Sequence, residues 1–356
     1  MNRMTSNAAR VVLTVAAIGF AASCARAQSL TGAGATFPYP IYSKWFDAYH
    51  QKTGIEINYQ SIGSGAGIQQ VKAGTVDFGA SDAALSNDRL KEMPRKVVHI
   101  PTVGGALAMV YNLPDLKGEM KLTPEVIVGI YMGKVTMWND KAIAAANPGV
   151  ALPPSPILAV HRSDGSGTTN IFTTYLSAVS GEWKELVGAN TAVSWPAGVG
   201  GKGNEGVSGL VQQTPGSIGY VELAYAKQNK LSMARVRNKS GQFIAPSLAS
   251  TTAAVAASSK DLAKDVRTPI VNASAPDAYP IAGLTFLIVY QDTRDPARAK
   301  ALRDFIDWAI HDGQGMVESL DYARLPDALV KVNEATLKTL TSGGKALSAV
   351  AANTSK

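Results

Sequence analysis

Short apolar runs alternate with amphipathic segments along most of this chain. The run 157–160 is apolar throughout and has the length of a strand buried on both faces. Segment 55–59 alternates apolar and polar residues, which predicts a strand with one exposed face. Aromatic residues in 42–49 recur at the spacing of a helix with one apolar face. Because strands and helices alternate in this way, the sequence predicts an α/β fold.

Three of the predicted strands end in turns of small residues, and a predicted helix follows each turn. These turns are 31–36, 62–67 and 163–168, and each has Ser or Thr near the helix start. Free backbone N–H groups at a helix start favour negative charge. One such turn is most simply an ordinary capped helix start, but three in one chain indicate a shared anion.

The residues at these turns are suited to a tetrahedral anion. We expect Thr36 to cap its helix, which leaves backbone donors free near Phe37. Ser64 adds a hydroxyl in the second turn. Arg162 enters the third turn with a planar guanidinium that pairs well with oxyanions, and Ser166 opens the helix there. The sequence therefore predicts a site for a phosphate-sized anion.

Asp82 follows a fourth predicted strand and brings a carboxylate to the same group of turns. An ionised carboxylate only accepts hydrogen bonds, and phosphate near neutral pH still carries an O–H, whereas sulfate carries none. Asp82 facing the ligand would therefore favour phosphate and repel sulfate. The alternative is a solvated turn residue or a helix cap.

Residues 1–27 have the composition of a secretory signal peptide. Arg3 and Arg10 precede an apolar run, and an Ala-x-Ala cleavage site ends at Ala27. The only cysteine, Cys24, lies within this segment, so the mature protein is expected to carry no thiol. The alternative is that Cys24 is the lipid-anchored first residue of a lipoprotein.

The mature chain offers little support for nucleic-acid binding or catalysis. Its net charge falls from +7 to +4 when three arginines leave with the signal, and its basic residues form no cluster. Segment 201–206 matches G-x-G-x-x-G without a preceding apolar strand, so we interpret it as a surface loop. The four histidines lack metal-ligand spacing, and His161 and Arg162 point to opposite faces of a strand. We expect a non-enzymatic protein without metal or cofactor.

The chain as a whole resembles the phosphate-binding proteins of phosphate-specific ABC transporters. The resemblance covers essentially the whole mature chain and rests on several long motifs in the same order. These motifs occupy residues 30–38, 76–82, 164–168, 200–204 and 219–226.

The resemblance implies a two-lobed periplasmic-binding-protein fold of type II, the Venus-flytrap arrangement, with a ligand cleft between the lobes. One lobe would combine residues 28–104 with 281–356, and the other would span 105–280. The protein would be a periplasmic monomer that closes on inorganic phosphate. It would deliver phosphate to ABC transporter permease subunits in the inner membrane, which work with a cytoplasmic ATPase.

The resemblance also implies roles for individual residues. Asp82 would accept the phosphate proton, Phe37 would act through its backbone N–H, and Asp164 would hold the guanidinium of Arg162 in place. One departure is Gly65-Ala66, where close relatives often carry Ser-Gly. The implied phosphate-binding residues are Thr36, Phe37, Ser64, Asp82, Arg162, Ser166, Gly167 and Thr168.

Two other functions stay open on the sequence alone. The ligand could be another tetrahedral oxyanion, arsenate or sulfate; Asp82 argues against sulfate but not against protonated arsenate. A secreted phosphatase is less favoured, because it would need a nucleophile or a metal set that the sequence does not convincingly offer.

Overall fold

The computed structural model describes residues 29–347. The predicted signal peptide, residues 1–27 with Cys24, lies outside the described residues. The strands are β1 (Ser29–Gly34), β2 (Glu56–Ser61), β3 (Phe78–Ser81), β4 (Val97–Tyr111), β5 (Lys121–Leu122), β6 (Leu158–Arg162), β7 (Val199–Gly201), β8 (Ser217–Glu222), β9 (Ser232–Met233), β10 (Arg235–Arg237), β11 (Phe243–Ile244), β12 (Ala282–Tyr290), β13 (Asp292–Thr293), β14 (Thr341–Ser342) and β15 (Lys345–Ala346).

The helices alternate with these strands along most of the chain. They are α1 (Tyr39–Thr53), α2 (Ser64–Ala73), α3 (Asn87–Lys91), α4 (Pro124–Tyr131), α5 (Lys141–Ala146), α6 (Gly167–Val179), α7 (Gly181–Leu186), α8 (Gly203–Gln213), α9 (Leu223–Gln228), α10 (Leu248–Lys264), α11 (Pro296–Ile310) and α12 (Asp327–Leu337), with a 3-10 helix at Asp312–Leu320. Within residues 29–347, no helix has the length and apolar character needed to span a membrane.

A nine-stranded mixed sheet organises the molecule. Its strand order is β2-β1-β3-β12-β4-β8-β6-β7, with β9 paired to β4. The groups β2-β1-β3 and β8-β6-β7 are parallel, and β12 and β4 join them through antiparallel pairing. Two parallel groups connected by helices confirm the predicted α/β class.

The long strand β4 passes from one parallel group to the other. Its first part pairs with β12 as far as Ala106, and its last part pairs with β8 from Leu107 to Tyr111. The lobe boundaries expected near residues 104 and 281 fall close to this change of partner. The division into lobes at these residues remains a prediction.

The predicted helix α1 and the predicted strands β2 and β6 form because their apolar side chains can be buried in the hydrophobic core. In α1 the residues Tyr42, Trp45 and Tyr49 are buried, and in β2 Ile57 is buried between exposed neighbours. Burying each large apolar side chain contributes about 1.5–3 kcal/mol. Within β6, Arg162 is buried while His161 is half-buried, as expected for neighbours on opposite faces of a strand.

Two local predictions are wrong. Helix α1 begins at Tyr39 with Pro38 as its N-cap, so Thr36 does not cap it. Proline fixes the backbone at this position, and the Thr36 hydroxyl is engaged elsewhere. Segment 201–206 is not a surface loop, because β7 ends at Gly201 and α8 begins at Gly203.

Candidate anion-binding site

Turns at the carboxyl ends of the parallel strands form two facing walls. The first wall consists of turn 35–38 after β1, the start of α2 at Ser64, and Asp82 after β3. The second wall consists of turn 162–168 between β6 and α6 and of residues 202–205 at the start of α8. Ligands of α/β proteins bind at such strand ends, where the strand order reverses. The structure brings all the predicted site residues onto these two walls.

The two walls are in direct contact through glycine backbone. The N–H of Gly65 donates to the carbonyl of Gly165 at 2.8 Å, and the N–H of Gly167 donates to Ser64 Oγ at 3.0 Å. A Cβ added to Gly167 would lie 2.5 Å from Ser64 Oγ, and one added to Gly65 would lie 3.1 Å from the Gly165 Cα. Small residues are therefore required here so that the walls can meet.

Arg162 is held by a bidentate ion pair on the second wall. Its Nε donates to Asp164 Oδ1 at 2.8 Å and its Nη2 to Asp164 Oδ2 at 2.6 Å. Burial alone would raise the pKa of Asp164, but the hydrogen bonds and charge of Arg162, with the N–H of Gly203, lower it overall. The remaining nitrogen, Nη1, donates to Thr168 Oγ1 at 3.3 Å. Asp164 thus fixes the guanidinium plane and leaves Nη1 beside Thr168 at the start of α6.

Asp82 lies in quite different surroundings on the first wall. Its side chain is buried, with Thr285 donating to Oδ1 at 2.8 Å and Thr168 to Oδ2 at 3.4 Å. Burial raises the pKa of Asp82 to about 7, although the Thr285 hydrogen bond and the charge of Arg162 oppose the rise. Asp82 is therefore a carboxyl group whose charge changes near neutral pH.

The hydroxyl groups of the first wall are arranged as donors. Thr36 Oγ1 accepts two bonds from Asn204, from its backbone N at 3.2 Å and its Nδ2 at 2.7 Å. Ser64 Oγ likewise accepts the N–H groups of Gly167 at 3.0 Å and Asp82 at 3.3 Å. Each oxygen has two acceptor lone pairs, so the proton of each hydroxyl is the group left to bind an anion.

Sequence analysis missed Asn204, a fully buried residue of the second wall that contacts Thr36 on the first wall. Besides holding Thr36, its Nδ2 donates to Thr168 Oγ1 at 3.3 Å, and its Oδ1 accepts the N–H of Glu222 at 2.9 Å. The signal was a further small-residue turn, with Gly203 at a φ of +71° just before Asn204. Because β7 has only three residues, no apolar run marked the strand before it.

Sequence analysis also missed residues that come from distant parts of the chain. The Tyr225 hydroxyl donates to the Thr36 carbonyl at 2.7 Å, and the Tyr322 hydroxyl donates to the Phe37 carbonyl at 2.6 Å. Both phenols are buried. Together with Thr285, which donates to Asp82, these two tyrosines hold the first wall in position through hydrogen bonds.

Comparisons with known proteins identify the family of this chain. A family model described as a PBP superfamily domain matches residues 21–312. The phosphate-binding protein PstS of Pasteurella multocida is 46% identical over 325 residues, which cover 90% of this chain and 94% of that protein. The phosphate-binding protein PstS of Xylella fastidiosa is 47% identical over 311 residues, covering 87% of this chain and 85% of that protein.

A solved structure gives the same fold at lower sequence identity. The phosphate-binding protein from Stenotrophomonas maltophilia superposes with a TM-score of 0.66 at 20% identity, covering 87% of this chain and 94% of that chain. This likeness confirms the predicted two-lobed binding-protein fold. The chain therefore belongs to the PBP superfamily and, within it, to the family of the PstS phosphate-binding proteins.

Proposed function

We propose that this protein binds inorganic phosphate in the periplasm and delivers it to the permease of an ABC transporter for import. The observation that carries the proposal is the pairing of many hydrogen-bond donors with one carboxyl acceptor, Asp82, between two walls. Phosphate is an anion that also carries a proton, so it matches both parts of such a site.

The donors come from both walls of the cleft. On the first wall, Thr36 and Ser64 offer hydroxyl protons and Phe37 offers its backbone N–H. On the second wall, Ser166 caps α6, whose first turn lies at the cleft; the N–H groups of Gly167 and Thr169 donate to Ser64 Oγ and Ser166 Oγ in this structure, and the Gly167 N–H would turn to phosphate on binding. The proposed phosphate-binding residues are Thr36, Phe37, Ser64, Asp82, Arg162, Ser166, Gly167 and Thr168.

Binding would depend on hydrogen bonds more than on net charge, because Asp164 already neutralises Arg162. Each charge-assisted hydrogen bond contributes about 1.5–3 kcal/mol net. Dehydration of the anion and ordering of the two walls offset much of the sum. Micromolar affinity or better, about −8 kcal/mol, is the expected outcome.

Asp82 would discriminate among tetrahedral anions. In its ionised form it accepts the phosphate proton, whereas sulfate would place two buried negative charges against each other with no proton between them. Protonated arsenate has the same proton and nearly the same shape. We therefore expect arsenate to bind and sulfate to be excluded above neutral pH.

The arrangement favours binding over catalysis. Both lone pairs of Ser64 Oγ accept backbone N–H groups, which makes this hydroxyl a donor and a poor nucleophile. Within residues 29–347, no three His, Cys, Asp or Glu side chains are grouped as a metal site requires. We propose a non-enzymatic protein and not a phosphatase.

The proposed partner surface forms when the walls come together. Closure would align the lobe made of 28–104 and 281–356 with the lobe 105–280, and the permease subunits would recognise that combined surface. The permease subunits would work with a cytoplasmic ATPase. The protein would act as a monomer after signal cleavage following Ala27, and a lipid anchor at Cys24 is the second possibility.

Calorimetric titration of the purified, phosphate-stripped mature protein tests the proposal. We expect one-to-one phosphate binding at micromolar affinity or better, and no heat with sulfate at pH 8. Equal binding of both anions would contradict the role of Asp82, and binding of neither would overturn the function. Release of phosphate from a generic monoester would instead indicate a phosphatase.

A further inference from the structure

The hydroxyl of Tyr225 lies between two acceptors on opposite walls. Tyr225 belongs to α9, which packs against α8 and β8 on the second wall. Its oxygen is 2.7 Å from the carbonyl of Thr36 on the first wall and 2.9 Å from Glu205 Oε1 on its own wall. A phenol has a single proton, so it serves only one of these acceptors at full strength.

The two acceptors differ in how they depend on the distance between the walls. Glu205 lies in the first turn of α8, so it keeps its place beside Tyr225 when the walls separate. Because Thr36 lies on the first wall, we expect its carbonyl to move out of reach of Tyr225 when the walls separate. Burial of Tyr225, with the nearby charge of Glu205, raises the pKa of its phenol, which keeps the proton available for donation.

The contact with Thr36 also acts on a proposed phosphate donor. The Thr36 carbonyl and the Phe37 N–H belong to the same peptide unit, so a hydrogen bond to the carbonyl polarises the N–H. The next carbonyl, that of Phe37, is held at 2.6 Å by Tyr322. Two consecutive carbonyls are therefore fixed by phenols, which orients the peptide between them.

We propose that Tyr225 is a positioning residue that latches the closed cleft. The Tyr225 hydroxyl keeps its proton but changes its hydrogen-bond acceptor from Glu205 to the Thr36 carbonyl as the walls meet, and the new bond then strengthens the Phe37 N–H as a donor to phosphate. This inference rests on the proposed function, because it assigns a further residue to the same phosphate site.

The first test is Tyr225→Phe, which removes the hydroxyl and keeps the ring. We expect the calorimetric Kd for inorganic phosphate to rise about tenfold, the factor that corresponds to one net hydrogen bond. The change should come from faster release of radiolabelled phosphate, because affinity differences within one site lie mostly in the dissociation rate.

The matched control is Tyr290→Phe. The Tyr290 hydroxyl donates to the Val71 carbonyl at 2.7 Å, in the last turn of α2 and at the opposite end of that helix from Ser64. The Tyr290→Phe variant therefore removes a phenol–carbonyl hydrogen bond of the same length as that of Tyr225, but at a position distant from the two walls. We expect it to lower the melting temperature while leaving the phosphate Kd within twofold of wild type.

A second variant, Glu205→Ala, should act in the opposite direction. Without the competing acceptor, the Tyr225 hydroxyl donates only to the Thr36 carbonyl, and phosphate release should slow about twofold to fivefold. Loss of a negative charge near an anion would also slow release, but that effect would persist in the Tyr225→Phe background. We expect Glu205→Ala to have no effect in that background.

The outcomes separate this inference from the proposed function. A wild-type protein that does not bind phosphate overturns both. Wild-type binding with an unchanged Kd in Tyr225→Phe, or an equal loss in Tyr290→Phe, overturns the latch alone. If Tyr225→Phe does not fold, the release rate of phosphate from Glu205→Ala is measured at about 1 M salt, where exposed charges are screened. Release that is still slower than from wild type supports the latch. Release at the wild-type rate overturns it.

Discussion

Asp82 belongs to the first wall of the cleft and Asp164 belongs to the second wall. Their carboxyl groups lie in opposite electrostatic surroundings. Asp164 forms a bidentate pair with Arg162, which keeps its pKa low. Asp82 receives neutral hydroxyl groups, chiefly that of Thr285, and its burial raises its pKa to about 7. Asp164 is a permanent counterion that positions Arg162, whereas Asp82 has no paired cation in the described part of the chain and can gain or lose a proton near neutral pH.

Under the proposed function, this difference would let a site lined with an arginine distinguish two anions of similar size. The guanidinium provides attraction that phosphate and sulfate share, so it carries no selectivity by itself. Selectivity arises where a carboxyl lacks a cation of its own and must obtain a proton from the ligand. We therefore expect the second wall to contribute mainly to affinity and Asp82 on the first wall to contribute specificity, so that variants can alter each separately.

The largest effect is expected from removing the cation of the second wall. Arg162→Ala leaves Asp164 partly buried without its partner, a change that typically costs about 3–5 kcal/mol when one member of a buried pair is lost. That cost should appear as lower stability. The calorimetric Kd for phosphate should rise by at least about a hundredfold, because the variant loses charge-assisted hydrogen bonds of about 1.5–3 kcal/mol each and leaves the Asp164 carboxylate unpaired beside the anion. Arg162→Lys keeps the charge but not the planar guanidinium, so its phosphate Kd should lie between those of wild type and Arg162→Ala. A Kd for Arg162→Ala within tenfold of the wild-type value would show that the Arg162–Asp164 pair is dispensable for binding.

The next effect separates the two carboxyl groups through stability. The folded-state pKa of Asp82, about 7, lies above its ordinary value of 3.8, so ionisation disfavours the folded state. This cost is absent below about pH 4, grows as the pH rises and is complete above pH 7, where it reaches up to about 4 kcal/mol. In phosphate-free buffer, the stability gained by Asp82→Asn should therefore grow between pH 4 and pH 8.

Denaturant unfolding at several pH values measures this gain. Asp164→Asn is the matched control, because the folded-state pKa of Asp164 is lowered and its ionised form stabilises the fold. That variant should be less stable than wild type by a constant amount above about pH 4, and the difference should shrink as the pH falls below 4. A constant difference between Asp82→Asn and wild type at all pH values would mean that Asp82 titrates normally.

A smaller effect tests whether the walls must touch. The added methyl group of Gly167→Ala would lie 2.5 Å from Ser64 Oγ, so it should hold the walls apart and weaken phosphate binding about tenfold or more. In Gly65→Ala the nearest atom, the Gly165 Cα, is 3.1 Å away, and the loss should be smaller. Calorimetry on both variants checks the order; a larger loss in Gly65→Ala would contradict this geometry.

Much of the site was predictable because its determinants are local in sequence. The capping role of Ser166 at α6 follows from a turn of adjacent residues, and the structure confirms that it accepts the N–H of Thr169. The positions of Arg162 and Asp82 at strand ends follow from apolar runs that precede them. The same local logic failed at Thr36, because the N-cap of α1 is Pro38, two residues later, and the helix begins at Tyr39.

The supporting residues could not be predicted because the sheet order brings them in from far along the chain. Thr285 contacts Asp82 across 203 sequence positions, and Tyr225 contacts Thr36 across 189. Neither lies in a turn of small residues, and each is typical of an ordinary core position. Their role depends on β12 entering the sheet next to β3 and on α9 lying beside the cleft.

Anion selectivity of Asp82→Asn tests the central claim most directly. At pH 8, wild type should bind phosphate at least about a hundredfold more tightly than sulfate, and wild-type sulfate binding should increase as the pH falls through 7 and Asp82 becomes protonated. The amide of Asp82→Asn donates at every pH, so this variant should bind sulfate without pH dependence and discriminate less than about tenfold. A variant that keeps the wild-type preference at pH 8 would contradict the assignment of Asp82 as the acceptor of the phosphate proton.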